Sequence, residues 1–142
     1  MANLVLDLKP GEMMVINGAA IRFRTRSRLE LLTRARFLFG KQIMSSLEAI
    51  SPLRRIYCAL QSAYVGGEAD RAPALEQARL LIETRRRVSG CEEDVAILDR
   101  IEQHAVADDL YAALRLARGL IDREEAARPP GDAADVAALA GG

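Results

Sequence analysis

The sequence predicts an α+β fold: a small N-terminal antiparallel β-sheet of four to five strands, followed by an all-α C-terminal half of about four helices. Three observations carry this. Apolar residues alternate with a period of two through much of the first forty positions, an Asn-Gly pair separates two of these segments, and from residue 45 the apolar spacing changes to three and four. A chain of 142 residues, half of them hydrophobic, has room for one compact domain or two very small ones. The expected division is an Arg-rich β module over 1–44, a helical bundle over 45–128, and a disordered Ala/Gly tail over 129–142.

Leu4-Val5-Leu6-Asp7-Leu8 reads as the first strand, closed by Lys9-Pro10-Gly11-Glu12. Proline presets φ for the first turn position and glycine accepts a positive φ at the next, which makes a tight turn. Residues 13–16 supply a short apolar strand, and Asn17-Gly18 supplies the two positive-φ residues of a type I′ hairpin. Residues 20–26 alternate small or apolar side chains with arginine. On a strand this puts Ile21 and Phe23 on one face and Arg22, Arg24 and Arg26 on the other. Residues 28–33 and the Arg36-Phe37-Leu38-Phe39 run before Gly40 complete the sheet or half-barrel.

Ser45-Ser46-Leu47-Glu48 resembles a capping box, and Ser51-Pro52 is a second helix start, with a capping hydroxyl ahead of a proline at the first helical position. Leu53, Ile56, Tyr57, Leu60, Ala63 and Tyr64 then keep helical spacing until Gly66-Gly67. A second helix is predicted over 72–88, burying Leu75, Ala78, Leu81 and Ile82. The third opens on Glu92-Glu93-Asp94, where the macrodipole favours negative charge, and buries Val95, Leu98, Ile101 and Ala105. The fourth starts near Asp108 or Asp109 and buries Leu110, Leu114, Ala117, Leu120 and Ile121. It ends before Pro129-Pro130, and the pattern leaves open whether it is continuous with the third.

Several function classes are excluded by what the sequence lacks. No apolar stretch approaches the roughly 18–20 residues of a membrane span. Met1-Ala2-Asn3-Leu4-Val5-Leu6-Asp7 has no secretory pattern, so a cytoplasmic protein without membrane contact is expected. Cys58 and Cys91 form no Cys-x-x-Cys pair and His104 is the single histidine, which argues against zinc and for reduced, partly buried thiols. His104 itself reads as a helix-surface residue. Phosphate-loop, dinucleotide and nucleophile-elbow motifs are all missing, and the scattered acidic residues make no paired-carboxylate site; neither an enzyme nor a cofactor is expected.

Zero net charge hides an asymmetry. Residues 1–60 carry ten basic and four acidic residues (+6), residues 61–90 five and four (+1), and residues 91–142 five and twelve (−7). Such a split points either to an anion-binding N-terminal module or to two halves that attract each other. Arginines at 22, 24 and 26 on one strand face would project at intervals of about 6–7 Å, close to the phosphate spacing of single-stranded RNA. Arg28, Arg34, Arg36 and Lys41 extend the row. The competing reading is a solvated outer face, or an edge protected by charge. Arg54 and Arg55, presented just after a helix start, are a second candidate anion site. Arg85-Arg86-Arg87 has a ready structural purpose, since cations near a helix C-terminus complement its dipole and free carbonyls.

The ordered set Leu6-x-Leu8-Lys9-Pro10-Gly11-Glu12, Ile16-Asn17-Gly18, Ala19-x-Ile21-x-x-x-x-Arg26 and Pro52-x-Arg54-Arg55-Ile56-Tyr57 resembles the FlbT family of flagellin-synthesis regulators from flagellated alphaproteobacteria. The likeness runs from about residue 3 to residue 121. It implies a post-transcriptional repressor that acts on the 5′ untranslated leader of flagellin mRNA, lowering translation and message lifetime, with flagellin and the small protein FlaF as partners. In some relatives the effect is promotion of flagellin synthesis instead. Residues 4–26 are also similar to RNA-binding regulators of the CsrA type, but where those carry an RNA-contacting arginine near the end of the first strand this chain has Leu8, followed by Lys9.

Residue pattern and resemblance agree that RNA, and not DNA, would lie on the N-terminal module. The expected contacts are Arg22, Arg24 and Arg26 on leader phosphates, with Arg54 and Arg55 extending the track. Phosphate contacts give affinity without sequence information, so selectivity would have to come from RNA shape, loop bases or a partner. The alternative is a protein-interaction module in which the helical half holds flagellin or FlaF and the mRNA responds indirectly. Open backbone donors on the edges of so small a sheet also permit a homodimer.

Overall fold

In the computed structural model, which describes residues 4–127, the chain first doubles back at Pro10-Gly11. Gly11 takes φ +87° and the Glu12 N–H donates to the Lys9 carbonyl at 3.1 Å, a type II turn between β1 (Leu4–Leu8) and β2 (Met13–Ile16). Asn17 and Gly18 both take positive φ, +49° and +81°, and join β2 to β3 (Ala19–Arg22) as a two-residue hairpin with Ile16 opposite Ala19. β4 (Ser27–Leu31) and β5 (Phe37–Phe39) follow. The five strands form two small antiparallel sheets: β1 pairs β4 with Leu6 opposite Leu29, and β2 lies between β3 and β5.

The long alternating strand expected over 20–26 does not form. Met13 is the first residue of β2 and already faces Arg22, so the ladder runs out there. Phe23 exchanges backbone hydrogen bonds with the turn, its N–H to Glu12 and its carbonyl to Gly11, and the chain then bends until β4 begins at Ser27. Arg22, Arg24 and Arg26 therefore do not share one strand face. Ile21, expected inside, lies on the uncovered β3 and is exposed, while Phe23 packs against the smaller core.

β5 connects two cores through its period of two. Phe37 and Phe39 pack against Leu6, Leu8 and Met14 within the sheets, and Leu38, pointing to the opposite side, is buried among the helices. The helical core is the larger one, built on Ile56, Leu60, Ile82, Leu98, Ile101 and Leu114, all nearly inaccessible.

Helix α1 (Pro52–Val65) is capped as expected: the Ser51 hydroxyl accepts from the Arg54 N–H at 3.2 Å, and Gly66 ends it. Helix α2 (Glu68–Val88) starts four residues before the predicted boundary. Pro73 does not stop it, since near the helix start it removes only one backbone hydrogen bond, and Glu68 and Asp70 in the first turn favour the dipole. Helices α3 (Glu92–Val106) and α4 (Leu110–Ala127) are separate, broken by Asp108 at φ +61°. The capping box at Ser45 is present, with the Ser45 N–H on Glu48 Oε1 at 3.1 Å, but it opens only a single 3₁₀ turn, Ser46–Glu48. α1 packs along both α2 and α4, and α3 closes the bundle against α4 and α2. The expected tail, 129–142, lies outside the described residues.

One junction of sheets and helices lies where Gly18 meets the Gly66-Gly67 pair. The Gly18 N–H at the hairpin tip donates to the Val65 carbonyl at 2.6 Å, and a Cβ added at Gly18 would sit 2.8 Å from the Gly67 nitrogen. Only a glycine hairpin tip can approach the α1–α2 junction this closely.

Candidate functional site

The acidic half of the chain is largely consumed by arginines, most of them from outside it. Arg86 reaches Glu83 at 2.5 Å and Glu102 at 2.7 Å, and its Nε lies 2.8 Å from Asp99 without the alignment of a hydrogen bond. Arg85 approaches Glu124, Arg87 pairs with Glu83, and Arg123 pairs with Glu93 and Asp94. The Arg85-Arg86-Arg87 triplet thus bridges α2 to α3 and α4 through carboxylates, a stronger tie than the expected capping of helix-end carbonyls. The hydrogen bond that Arg86 donates to Glu102, helped by the other carboxylates, raises the Arg86 pKa further above its ordinary value. Replacing Arg86 with Met would leave three carboxylates facing one another around a half-buried site. The expected loss is about 1–3 kcal/mol, read from the urea midpoint.

The N-terminal cations are employed differently. Arg22, on the edge strand β3, is exposed and reaches only the Met13 sulfur at 3.6 Å. Arg24 and Arg26, in the bend, are exposed, and among the described residues their side chains make no ion pair or hydrogen bond. Arg28 pairs across the β1–β4 ladder with Asp7 at 3.8 Å, an exposed contact of little energetic weight. Arg36 is held by Asp108 at 2.7 Å and lies over the Tyr64 ring.

The two arginines of α1 part company. Arg54 is paired with Glu125 of α4 and donates to the Glu48 carbonyl, so it clamps the N-terminus of α1, the 3₁₀ turn and α4 together. Arg55 is exposed, and among the described residues its side chain has no partner. Of the five candidate contacts, Arg22, Arg24, Arg26 and Arg55 thus offer accessible guanidinium groups, while Arg54 has a structural occupation.

Where the sheets meet the helices lies a set of residues the sequence did not single out as a site. Arg118 of α4 stacks on the Tyr57 ring at 4.5 Å and donates to the Lys41 carbonyl at 3.1 Å. The Tyr57 hydroxyl donates to the Gln42 carbonyl, and burial pushes its phenol above the ordinary value against the pull of Arg118. Arg71 of α2 reaches Asn17 at the hairpin and the Gly66 carbonyl, each at 3.4 Å. Arg71 and Asn17 stand 54 residues apart and Arg118 and Lys41 77, and no local motif announces either contact.

The remaining candidates hold no chemistry of their own. Cys58 is half-buried, with burial raising its thiol pKa, and Cys91 is exposed just before α3. His104 Nδ1 lies 3.3 Å from Asp109 across the α3–α4 turn. Among the described residues no group of three or more His, Cys, Asp or Glu is placed to hold a metal ion, and no helix is long and apolar enough to cross a membrane.

Comparison with known proteins matches residues 4–127 to the family model described as flagellar protein FlbT. A "Probable flagellum biosynthesis repressor protein FlbT" from Caulobacter sp. (strain K31) is 35% identical over 126 residues, covering 86% of this chain and 93% of the relative. The "Flagellum biosynthesis repressor protein FlbT" of Caulobacter vibrioides (strain ATCC 19089 / CIP 103742 / CB 15) is 32% identical, covering 86% of each. A probable FlbT of Agrobacterium fabrum (strain C58 / ATCC 33970) is 29% identical over 87% of this chain and 83% of its own length. No solved structure matches the chain. With the family model spanning every described strand and helix, the chain belongs to the FlbT family of flagellar proteins.

Proposed function

We propose that this chain regulates flagellin synthesis after transcription, by binding the 5′ untranslated leader of flagellin mRNA and so lowering translation and promoting decay of the message. The names of its relatives supply the flagellar context and the sign of the effect. The observation that carries the RNA contact is the uneven use of charge: Arg54, Arg85, Arg86, Arg87 and Arg123 are neutralised by carboxylates, while Arg22, Arg24, Arg26 and Arg55 stand exposed without them. Guanidinium groups that are accessible, always charged and planar suit bidentate contact with phosphate. Flagellin and FlaF remain partners in this reading, acting on the regulator and not in its place, and the module works in the cytoplasm without a cofactor.

A reporter placed behind the flagellin leader tests it. Expression of the chain lowers reporter yield and message half-life with that leader and not with an unrelated one, and Arg22→Ala/Arg24→Ala/Arg26→Ala loses most of the effect. If the effect disappears when flagellin is deleted while the triple variant still represses, the chain acts through protein contacts and the RNA reading falls.

A further inference from the structure

Five of the six aromatic side chains of this protein line one seam of adjoining clefts between the sheets and the helices, with Gln42 donating to the Tyr111 hydroxyl at 3.4 Å where two of the clefts meet. The seam consists of three adjoining clefts. One of about 790 Å³ lies between the Asn17 hairpin, the segment before β5, and α1 and α2. It shares Tyr64 with a middle cleft of about 470 Å³, which in turn shares Gln42 and Tyr111 with a third of about 380 Å³ against α4. We propose that this seam is a channel for single-stranded RNA, with bases against Tyr64 and Tyr111 and phosphates on Arg34, Lys41 and Arg115. The inference rests on the RNA reading above and gives the bases, which the outer arginines do not contact, a place in the seam.

Charge is the first argument. Arg34, Arg36 and Arg71 line one end and Lys41, Arg115 and Arg118 the other, and no Asp or Glu lines any of the three clefts. The six cations divide into two groups. Arg36, Arg71 and Arg118 are fixed by Asp108, by Asn17 with the Gly66 carbonyl, and by the Lys41 carbonyl. Arg34, Lys41 and Arg115 are exposed, and among the described residues their side chains have no ion-pair partner. Among the described residues the carboxylates leave the walls of these clefts to cations, Asp108 approaching only to hold Arg36, and such a seam is a place for an anion.

The middle of the seam decides which anion. It is apolar and aromatic: Phe37 and Phe39 stack on each other at 6.2 Å, Tyr64 and Tyr111 lie 6.0 Å apart, and Leu4 and Tyr111 are 48% and 41% exposed. Cations at both ends of an aromatic floor fit a strand whose charges run along its backbone and whose flat faces are free to stack. In a duplex the bases are already stacked on one another and cannot reach the rings. An acidic protein segment would use the cations but has no need of the rings.

Fluorescence anisotropy with the full chain and a leader oligonucleotide tests this, with the oligonucleotide single-stranded or annealed to its complement. The single strand is expected to bind at least tenfold more tightly than the duplex. Tyr111→Ala is expected to weaken single-strand binding about tenfold while Tyr111→Phe retains it, and Arg34→Ala/Lys41→Ala/Arg115→Ala to weaken it further. Arg100→Ala, an exposed cation of α3 away from the seam, binds as the unaltered chain does. All altered positions are exposed, so folding is not at stake. Should the seam variants bind normally while Arg22→Ala/Arg24→Ala/Arg26→Ala does not, the RNA reading stands and the seam proposal is overturned. Equal binding of duplex and single strand, or loss of flagellin binding in place of RNA binding, overturns it as well. An unaltered chain that binds no leader brings down both.

Discussion

Gly18→Ala is expected to destabilise the protein by about 2–4 kcal/mol, with the sheets loosened from the helices. Two costs combine at this position. The backbone stands at φ +81°, where an L side chain is strained, and the added Cβ would meet the Gly67 nitrogen at 2.8 Å, a contact with backbone that no rotamer change relieves. Relief requires the hairpin tip to lift, which breaks the 2.6 Å hydrogen bond from the Gly18 N–H to the Val65 carbonyl. Arg71, which reaches both Asn17 and the Gly66 carbonyl, loses its seat with it. Gly90→Ala is the comparison, since a Cβ there meets nothing within 4 Å. Its stability, read from the urea midpoint, is expected within about 0.5 kcal/mol of the original. Equal stability for the two variants would mean that the hairpin does not lock the halves together.

Leader affinity is expected to fall about a hundredfold as monovalent salt rises from about 50 to 200 mM. Each single-strand phosphate neutralised contributes about −0.7 to the slope of log K against log salt, and about five such contacts produce that loss. Four accessible arginines outside the seam and three cations within it make the number attainable. Removing Arg22, Arg24 and Arg26 together should make the slope shallower by about 2. A slope that the triple variant leaves unchanged would put these arginines outside the interface.

Local chemistry made the architecture legible. Pro10-Gly11, Asn17-Gly18 and Ser51-Pro52 each favour one backbone geometry and each stands where that preference placed it, while Gly66-Gly67 ends α1 in extended backbone at φ −70° and −62°. Periodicity identified the buried face of α4 because Leu110, Leu114, Ala117, Leu120 and Ile121 all point into one core. The failures were failures of range. Alternation in residues 20–26 is indistinguishable from a strand until the partner runs out, and β2 begins only at Met13, opposite Arg22. Arg54 and Arg55 are equivalent in sequence; what separates them is Glu125, 71 residues further on. The Arg85-Arg86-Arg87 triplet looked like a helix cap because Glu124, Asp99 and Glu102, which Arg85 and Arg86 reach, belong to other helices. The seam was invisible for the same reason: its rings sit on β5, α1 and α4, and only the packing of sheets against helices lines them up.

The most direct measurement is a titration of the purified full chain with a flagellin leader and with the same bases in scrambled order, with flagellin absent and then added. The account predicts leader-selective binding by the chain alone. Equal weak binding of both RNAs beside firm binding of flagellin would contradict it and leave the arginines as a soluble face.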